Sequence, residues 1–175
     1  MIRRSTSTTE KTAAMKKISS CNEIAAADRL IVRAHHMLCI ICFIGGDNNG
    51  QPMAASNEYE VWQKIKNNPD IPVTMTEGAG DCCLCPPCNN YIPSRGVCVA
   101  PGCLRDRKKS LDTLLALGMS PGDTLPAREI IKRICERIPD ASVICAFNPD
   151  TSREWTTCGA AHSGRYKKGL AHGVL

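Results

Sequence analysis

Half of the chain's 12 cysteines lie between residues 82 and 103, at spacings that suit metal ligation. Cys82, Cys85 and Cys88 form the pattern C-x2-C-x2-C, which is also the spacing of the first three cluster ligands in bacterial ferredoxins. Four residues after Cys88, where a ferredoxin has its next cysteine, this chain has isoleucine. An iron–sulfur cluster here therefore needs a fourth ligand from elsewhere, and Cys98 and Cys103 are the nearest cysteines downstream.

A zinc ion would suit the same segment. Cys85-x2-Cys88-x9-Cys98-x4-Cys103 consists of two short-spaced pairs joined by a loop, which is an acceptable four-cysteine pattern for structural zinc. Soft thiolate ligands bind both zinc and iron–sulfur clusters. Spacing alone thus leaves three alternatives open: an iron–sulfur cluster of the four-iron type, a zinc ion, or redox-active thiols without a metal.

Further ligand candidates lie upstream in an apolar segment. On a helix, His35, Cys39 and Cys42 would share one face at positions i, i+4 and i+7, and His36 would pair with Cys39 at i, i+3. Cys39 is therefore a candidate for the missing ligand. The alternative is that these thiols pack as small buried hydrophobic groups, as free cysteines often do.

The sequence patterns around these cysteines predict a mainly helical α+β fold in a single small domain. Residues 1–29 read as a polar, basic tail that we expect to be flexible, and residues 30–175 as the metal-binding domain. Periodicity and turn residues predict helices from about His35 to Gly45, over 55–67, over 104–117 and after Pro126, with short strands over 71–76 and 143–147.

Two details of this pattern bear on the site. Residues 78–102 show almost no periodicity, and so long a loop in a small domain is uncommon unless a bound metal organises it. In the helix predicted over 104–117, four leucines fall on one face that we expect to be buried: Leu104, Leu111, Leu114 and Leu115.

Composition and charge argue against several classes of protein. A chain of 175 residues with 43% hydrophobic residues has enough apolar material for a core. Its net charge of +5 is concentrated in residues 1–17 and only 4% of residues are aromatic, so we expect no nucleic-acid partner. The longest apolar run, 37–44, is too short to cross a bilayer. Without an apolar secretory signal, the expected location is the cytoplasm, where cysteines serve as ligands more often than as disulfides.

Several of these motifs together resemble a small prokaryotic family catalogued as domain of unknown function 1284, which is suspected to bind an iron–sulfur cluster. The resemblance covers about residues 30–172 and rests on R-A-H-H-M-L-C at 33–39, Cys82-x2-Cys85-Pro86, Gly96-x-Cys98, Asp106, Leu117-Gly118, Gly122-Asp123 and Cys158. It implies an iron–sulfur cofactor and a first-choice ligand set of Cys39, Cys82, Cys85 and Cys98. The additional C-terminal cysteines and the tryptophan usual in that part of the family are missing here.

Three functions follow from these patterns. The first is a redox or regulatory iron–sulfur protein with an unidentified redox or protein partner. The second is an interaction module held together by zinc, and the third is an enzyme whose cluster leaves one iron open to a substrate. No nucleophile elbow, phosphate loop or dinucleotide fingerprint occurs in the sequence, so we assign no catalytic residue.

Overall fold

The most apolar segment of the chain forms strand β1 (Leu30–Arg33) and, directly after it, helix α2 (Ala34–Ile44) at the centre of the structure. The computed structural model describes residues 8–46, 51–100, 103–146 and 158–175. Most side chains of α2 are buried, because helices pack against it on several sides. The predicted helix beginning near His35 is thereby confirmed, and Gly45 follows its last residue.

The remaining helices within these ranges are α1 (Thr8–Ala26), α3 (Glu58–Asn67), α4 (Cys103–Leu117), α5 (Ala127–Arg137), α6 (Ser142–Cys145) and α7 (Arg165–His172). The remaining strands are β2 (Pro72–Thr76), β3 (Tyr91–Ile92), β4 (Val97–Cys98) and β5 (Thr124–Pro126). This is the small, mainly helical α+β domain that the sequence predicts. None of the helices in the described ranges combines the length and the apolar character needed to span a membrane.

A three-stranded sheet in the order β1-β2-β5 supports the start of α2. Strand β1 pairs in parallel with β2, with Val32 opposite Met75, and β2 pairs antiparallel with β5. Both Val32 and Met75 are fully buried. The sheet therefore fixes the last residue of β1, Arg33, and the first turn of α2 beside the cysteine-rich loop that follows β2.

The N-terminal segment differs from the flexible tail predicted over residues 1–29. From Thr8 onward it forms α1, which packs against α3. The Nζ atom of Lys17 donates hydrogen bonds to the backbone oxygen of Ser56 (2.5 Å), to Asn57 Oδ1 (2.9 Å) and to Glu60 Oε2 (2.6 Å). The weak amphipathic character of the segment gives little sequence signal for this helix, because only Ser20 and Ile24 are buried among its described side chains.

The strand predicted over 143–147 is wrong for the described part of that segment, since Ser142–Cys145 is a short helix and residue 147 lies outside the described residues. The amide of Cys145 donates to the backbone oxygen of Ala141 at 2.8 Å, which is a helical hydrogen bond. A short apolar run does not distinguish strand from helix by periodicity. Here the carboxylate of Asp140 accepts a hydrogen bond from the Ser142 amide, and this bond stabilises the start of the short helix.

The leucine face predicted for α4 is also wrong. Leu104, Leu111 and Leu115 are exposed by 74%, 43% and 80%, whereas Leu114 is 1% exposed. The buried face of the helix instead carries Lys109, Ser110, Thr113, Leu114 and Leu117.

Two adjacent leucines provide a test of this orientation. We expect Leu114→Ala to lower the free energy of unfolding by about 2–4 kcal/mol, because it leaves a cavity in the core. Leu115→Ala, the matched control one residue away, should change it by less than about 0.5 kcal/mol. Urea unfolding followed by circular dichroism measures both values, and equal losses would contradict the orientation of α4.

Candidate metal centre

The C-x2-C-x2-C spacing corresponds to a series of tight turns in the backbone. The amide of Cys85 donates to the carbonyl of Cys82 at 3.1 Å, and the amide of Cys88 donates to the carbonyl of Cys85 at 2.9 Å. The amide of Tyr91 continues the series by donating to the carbonyl of Cys88 at 3.0 Å. Each three-residue step thus closes one turn, and backbone bonds rather than regular secondary structure shape the loop.

Cys83 attaches the loop to the sheet and to Asn57, the residue that precedes α3. Its amide donates to the backbone oxygen of Ile31 in β1 at 2.9 Å. Its carbonyl accepts from the side-chain amide of Asn57 at 2.8 Å, and the same side chain also bonds Ser20 Oγ (3.0 Å) and the Lys17 ammonium (2.9 Å). Asn57 is completely buried, and its hydrogen bonds join α1, the start of α3 and the cysteine loop.

This junction leads to a prediction about stability. We expect Asn57→Ala to lower the free energy of unfolding by about 2 kcal/mol, because it leaves the Cys83 carbonyl without its side-chain donor and Ser20 Oγ without its Asn57 partner. Asn22→Ala, at an exposed position of α1, is the control and should have little effect. Thermal unfolding of the two variants measures the difference, and identical midpoints would contradict the structural role of Asn57.

Three potential ligands converge where the loop meets α2. The ligand atoms of His36, Cys82 and Cys85 all lie within 4.8 Å of one another. Among the residues that the structure describes, no other group of three or more His, Cys, Asp or Glu side chains has its ligand atoms this close together. Cys82 and Cys85 are buried, with 1% and 6% exposure, and His36 is partly buried. These residues form the candidate metal centre.

Hydrogen bonds concentrate negative charge on Cys82. Its Sγ accepts from the backbone amide of Arg33 at 3.4 Å and lies 3.3 Å from His36 Nδ1. Burial acts to raise the pKa of Cys82, but hydrogen bonds from Cys85 and His36, with the Arg33 amide, hold it well below its usual range. The pKa of Cys85 is raised, first because its thiol donates to Cys82 and then by burial. These hydrogen bonds therefore favour the thiolate form at Cys82 and the thiol form at Cys85.

The two histidines at the start of α2 have different roles. His35 is buried, and its Nδ1 lies 2.7 Å from Ser110 Oγ in α4. Burial, then electrostatic interaction with His36 and Arg33, lowers the pKa of His35 well below its usual value. His35 is thus a core residue with a hydrogen-bond partner, whereas His36 points to the cysteines and is the histidine available to a metal.

A buried arginine completes the surroundings of the centre. Arg33 is only 3% exposed, and its Nε has no hydrogen-bond partner in the part of the chain that the structure describes. Its positive charge acts on both Cys85 and His35. A buried guanidinium without an anion is costly, so this position favours a site with net negative charge.

The other predicted ligands lie at different distances from this group. Cys98 is paired with Tyr91 across the β3–β4 ladder, and its charge contributes to the raised pKa of Cys85. Cys88 and Cys103 are partly buried and outside the 4.8 Å group. Cys39 lies elsewhere, on the wall of a cavity with Cys42, Cys145 and Cys158.

The expected ligand set leaves out one member of the compact group. The sequence offers His36 only as a helical partner of Cys39, since spacing does not reveal which of two adjacent imidazoles faces the loop. In comparisons with known proteins, no family model, curated protein or solved structure matches this chain. The resemblance to the family of unknown function 1284 stays a prediction, and function has to be inferred from the site itself.

Proposed function

We propose that this protein is an iron–sulfur protein that holds a cluster at Cys82, Cys85 and His36 and uses it in electron transfer or redox regulation. Cys98 is a candidate for a further ligand, because it is close enough to Cys85 to contribute to the raised pKa of that thiol. When bound, such a cluster supplies reversible one-electron chemistry at a potential set by its surroundings. The protein contributes the sulfur ligands, a dry environment and hydrogen bonds to sulfur.

The buried Arg33 is the observation that supports a cluster over a single ion. With two thiolates and a neutral imidazole, a zinc ion and an oxidised four-iron cluster both have no net charge. The cluster differs because it takes up an electron on reduction, and the buried guanidinium beside it would offset that added negative charge. The Arg33 amide also donates to Cys82 Sγ, and such hydrogen bonds to ligand sulfur are among the factors that tune cluster potentials.

A zinc-held interaction module is the second candidate, and one distance favours it. Donor atoms bound to one ion by bonds of about 2.3 Å lie at most about 4.6 Å apart. The three donor atoms here lie within 4.8 Å of one another, close to that limit. In a cluster, each thiolate binds a different iron, so Cys82 and Cys85 would have to move apart on binding.

Metal analysis of protein purified without oxygen separates the two candidates. We would measure iron, acid-labile sulfide and zinc per chain, together with the visible spectrum before and after dithionite. The wild type is compared with the double variant Cys82→Ala/Cys85→Ala, and the difference is assigned to this site. Cys21→Ala, in α1 and outside the His36–Cys82–Cys85 group, serves as the control.

The iron–sulfur proposal predicts that the double variant contains about four fewer irons and sulfides than the wild type, with loss of dithionite-sensitive absorption. A loss of one zinc, with no change in iron, would replace it by the zinc-held module. If neither metal changes while both proteins are folded by circular dichroism, the assignment of this site is wrong.

A further inference from the structure

A second group of cysteines lines a cavity beside α2. The cavity has a volume of about 500 Å³, and its walls include the side chains of Cys39, Cys42, Cys145 and Cys158. Its other walls are mainly apolar and include Leu38, Phe43, Met53 and Ala161. None of these four cysteines belongs to the His36–Cys82–Cys85 group, and all four are free thiols.

Three separate elements bring these thiols together. Cys39 and Cys42 are three residues apart on α2, so they project from the same side of the helix. Cys145 is the last residue of α6, and the amide of Cys158 donates to its backbone oxygen at 2.9 Å. Helix α7, which follows Cys158, packs directly against α2 and so closes the wall.

The arrangement suits a cluster better than a single ion. Among the described residues, no three of these thiols lie within 4.8 Å of one another, which is the distance that a shared ion requires. Thiolates that bind separate irons of one cluster stand farther apart, around a central volume. A cavity of about 500 Å³ falls within the usual size range of cofactor sites.

Charged side chains of both signs surround the cavity. Arg165 lies in the wall, and the buried Lys109 and its ion-pair partner Asp106 are both close enough to act on Cys145. Glu58 also lines the cavity, and its Oε2 has no hydrogen-bond partner in the described part of the chain. Burial raises the pKa of the Glu58 carboxyl.

We propose that this four-cysteine cavity is a second metal site, which holds an iron–sulfur cluster through Cys39, Cys42, Cys145 and Cys158. Each thiol would release its proton to solvent as its sulfur bonds to an iron. The inference goes beyond the function proposed above and does not depend on which metal the Cys82 site holds. Because Cys39 follows His36 by less than one turn of α2, two such centres would be near neighbours along one helix.

The test compares two double variants of the full chain after reconstitution without oxygen with ferrous iron, ferric iron and sulfide. Cys42→Ala/Cys158→Ala removes ligands from the cavity, and Cys82→Ala/Cys85→Ala removes them from the first site. Cys135→Ala, at an exposed cysteine of α5, is the matched control. Iron, sulfide and zinc per chain are measured for each, with circular dichroism to monitor folding.

We expect Cys42→Ala/Cys158→Ala to lose about four irons per chain, whatever the result for the Cys82 pair. Unchanged iron in a folded Cys42→Ala/Cys158→Ala protein would overturn the second site, and so would the loss of zinc instead of iron. Unchanged metal in Cys82→Ala/Cys85→Ala bears only on the first site, so the two proposals fail separately.

Thiol protection in the wild type tests the proposal if the cavity variant does not fold. Reconstituted protein would be treated with iodoacetamide before and after removal of iron by a chelator, and each cysteine peptide would be quantified by mass spectrometry. The proposal requires at least tenfold slower alkylation of Cys39, Cys42, Cys145 and Cys158 in the iron-loaded protein. Equal alkylation in both states would overturn it, and Cys135 should react equally in either case.

Discussion

Gly169→Ala is expected to lower the free energy of unfolding by about 3 kcal/mol, because α7 passes α2 with direct contact between the two backbones. A Cβ atom at Gly169 would lie 2.0 Å from the carbonyl oxygen of Ile41 and 2.9 Å from its carbonyl carbon. The contact is reciprocal, since a Cβ at Gly45 would lie 2.0 Å from the carbonyl oxygen of Arg165. A backbone atom has no rotamer through which to move aside, so the two helices must separate.

The sign of this effect makes it informative. Within a helix, alanine is normally more stable than glycine by about 0.5–1 kcal/mol. A loss of stability at Gly169 therefore arises from the contact with α2. Gly159→Ala is the control, because no heavy atom lies within 4 Å of its Cβ position. Guanidinium unfolding measures both variants, and a Gly169→Ala protein as stable as the wild type would contradict the close packing of α2 and α7.

The parts of the fold that the sequence predicts are those with strong local signals. The apolar run before Gly45 and the cysteine spacing of the loop are both read without knowledge of the tertiary structure. The loop's three-residue turns coincide with the C-x2-C-x2-C pattern, and Cys82 and Cys85 lie close together. Local spacing is sufficient here because the ligands are close in sequence.

Features that depend on tertiary packing were not predictable in the same way. The leucines of α4 have the spacing of a buried face, but the position of α2 buries the opposite side of the helix, including Ser110 and Thr113. Cys145 and Cys158 lie on separate segments, and only the packing of α6 and α7 around α2 brings them near Cys39. No spacing rule relates such residues, since their distance is set by helix packing.

Cys82→Ala is expected to reduce metal occupancy at the first site at least tenfold. Changing a residue that only hydrogen-bonds to a ligand typically lowers metal affinity by about tenfold or more, and loss of the ligand itself should cost at least as much. Cys82 Sγ is the atom on which the site converges, since Arg33, His36 and Cys85 all donate to it or lie against it. Its removal takes away the sulfur that carries the negative charge and leaves Arg33 with less compensation. A metal that binds only the folded chain adds to stability, so the loaded variant should also unfold at a lower temperature than the loaded wild type.

Cys83→Ala is the matched control for this prediction, because it changes the neighbouring thiol without touching the convergent group. Cys83 acts through its backbone, donating to Ile31 and accepting from Asn57, and both bonds survive the substitution. We therefore expect metal content and melting temperature close to the wild type, measured by elemental analysis and thermal unfolding without oxygen. Equal metal loss in the two variants would mean that the thiols of the loop are interchangeable. The compact group would then have no special role, because a metal held by whichever sulfurs are nearby does not depend on the hydrogen bonds from Arg33 and His36.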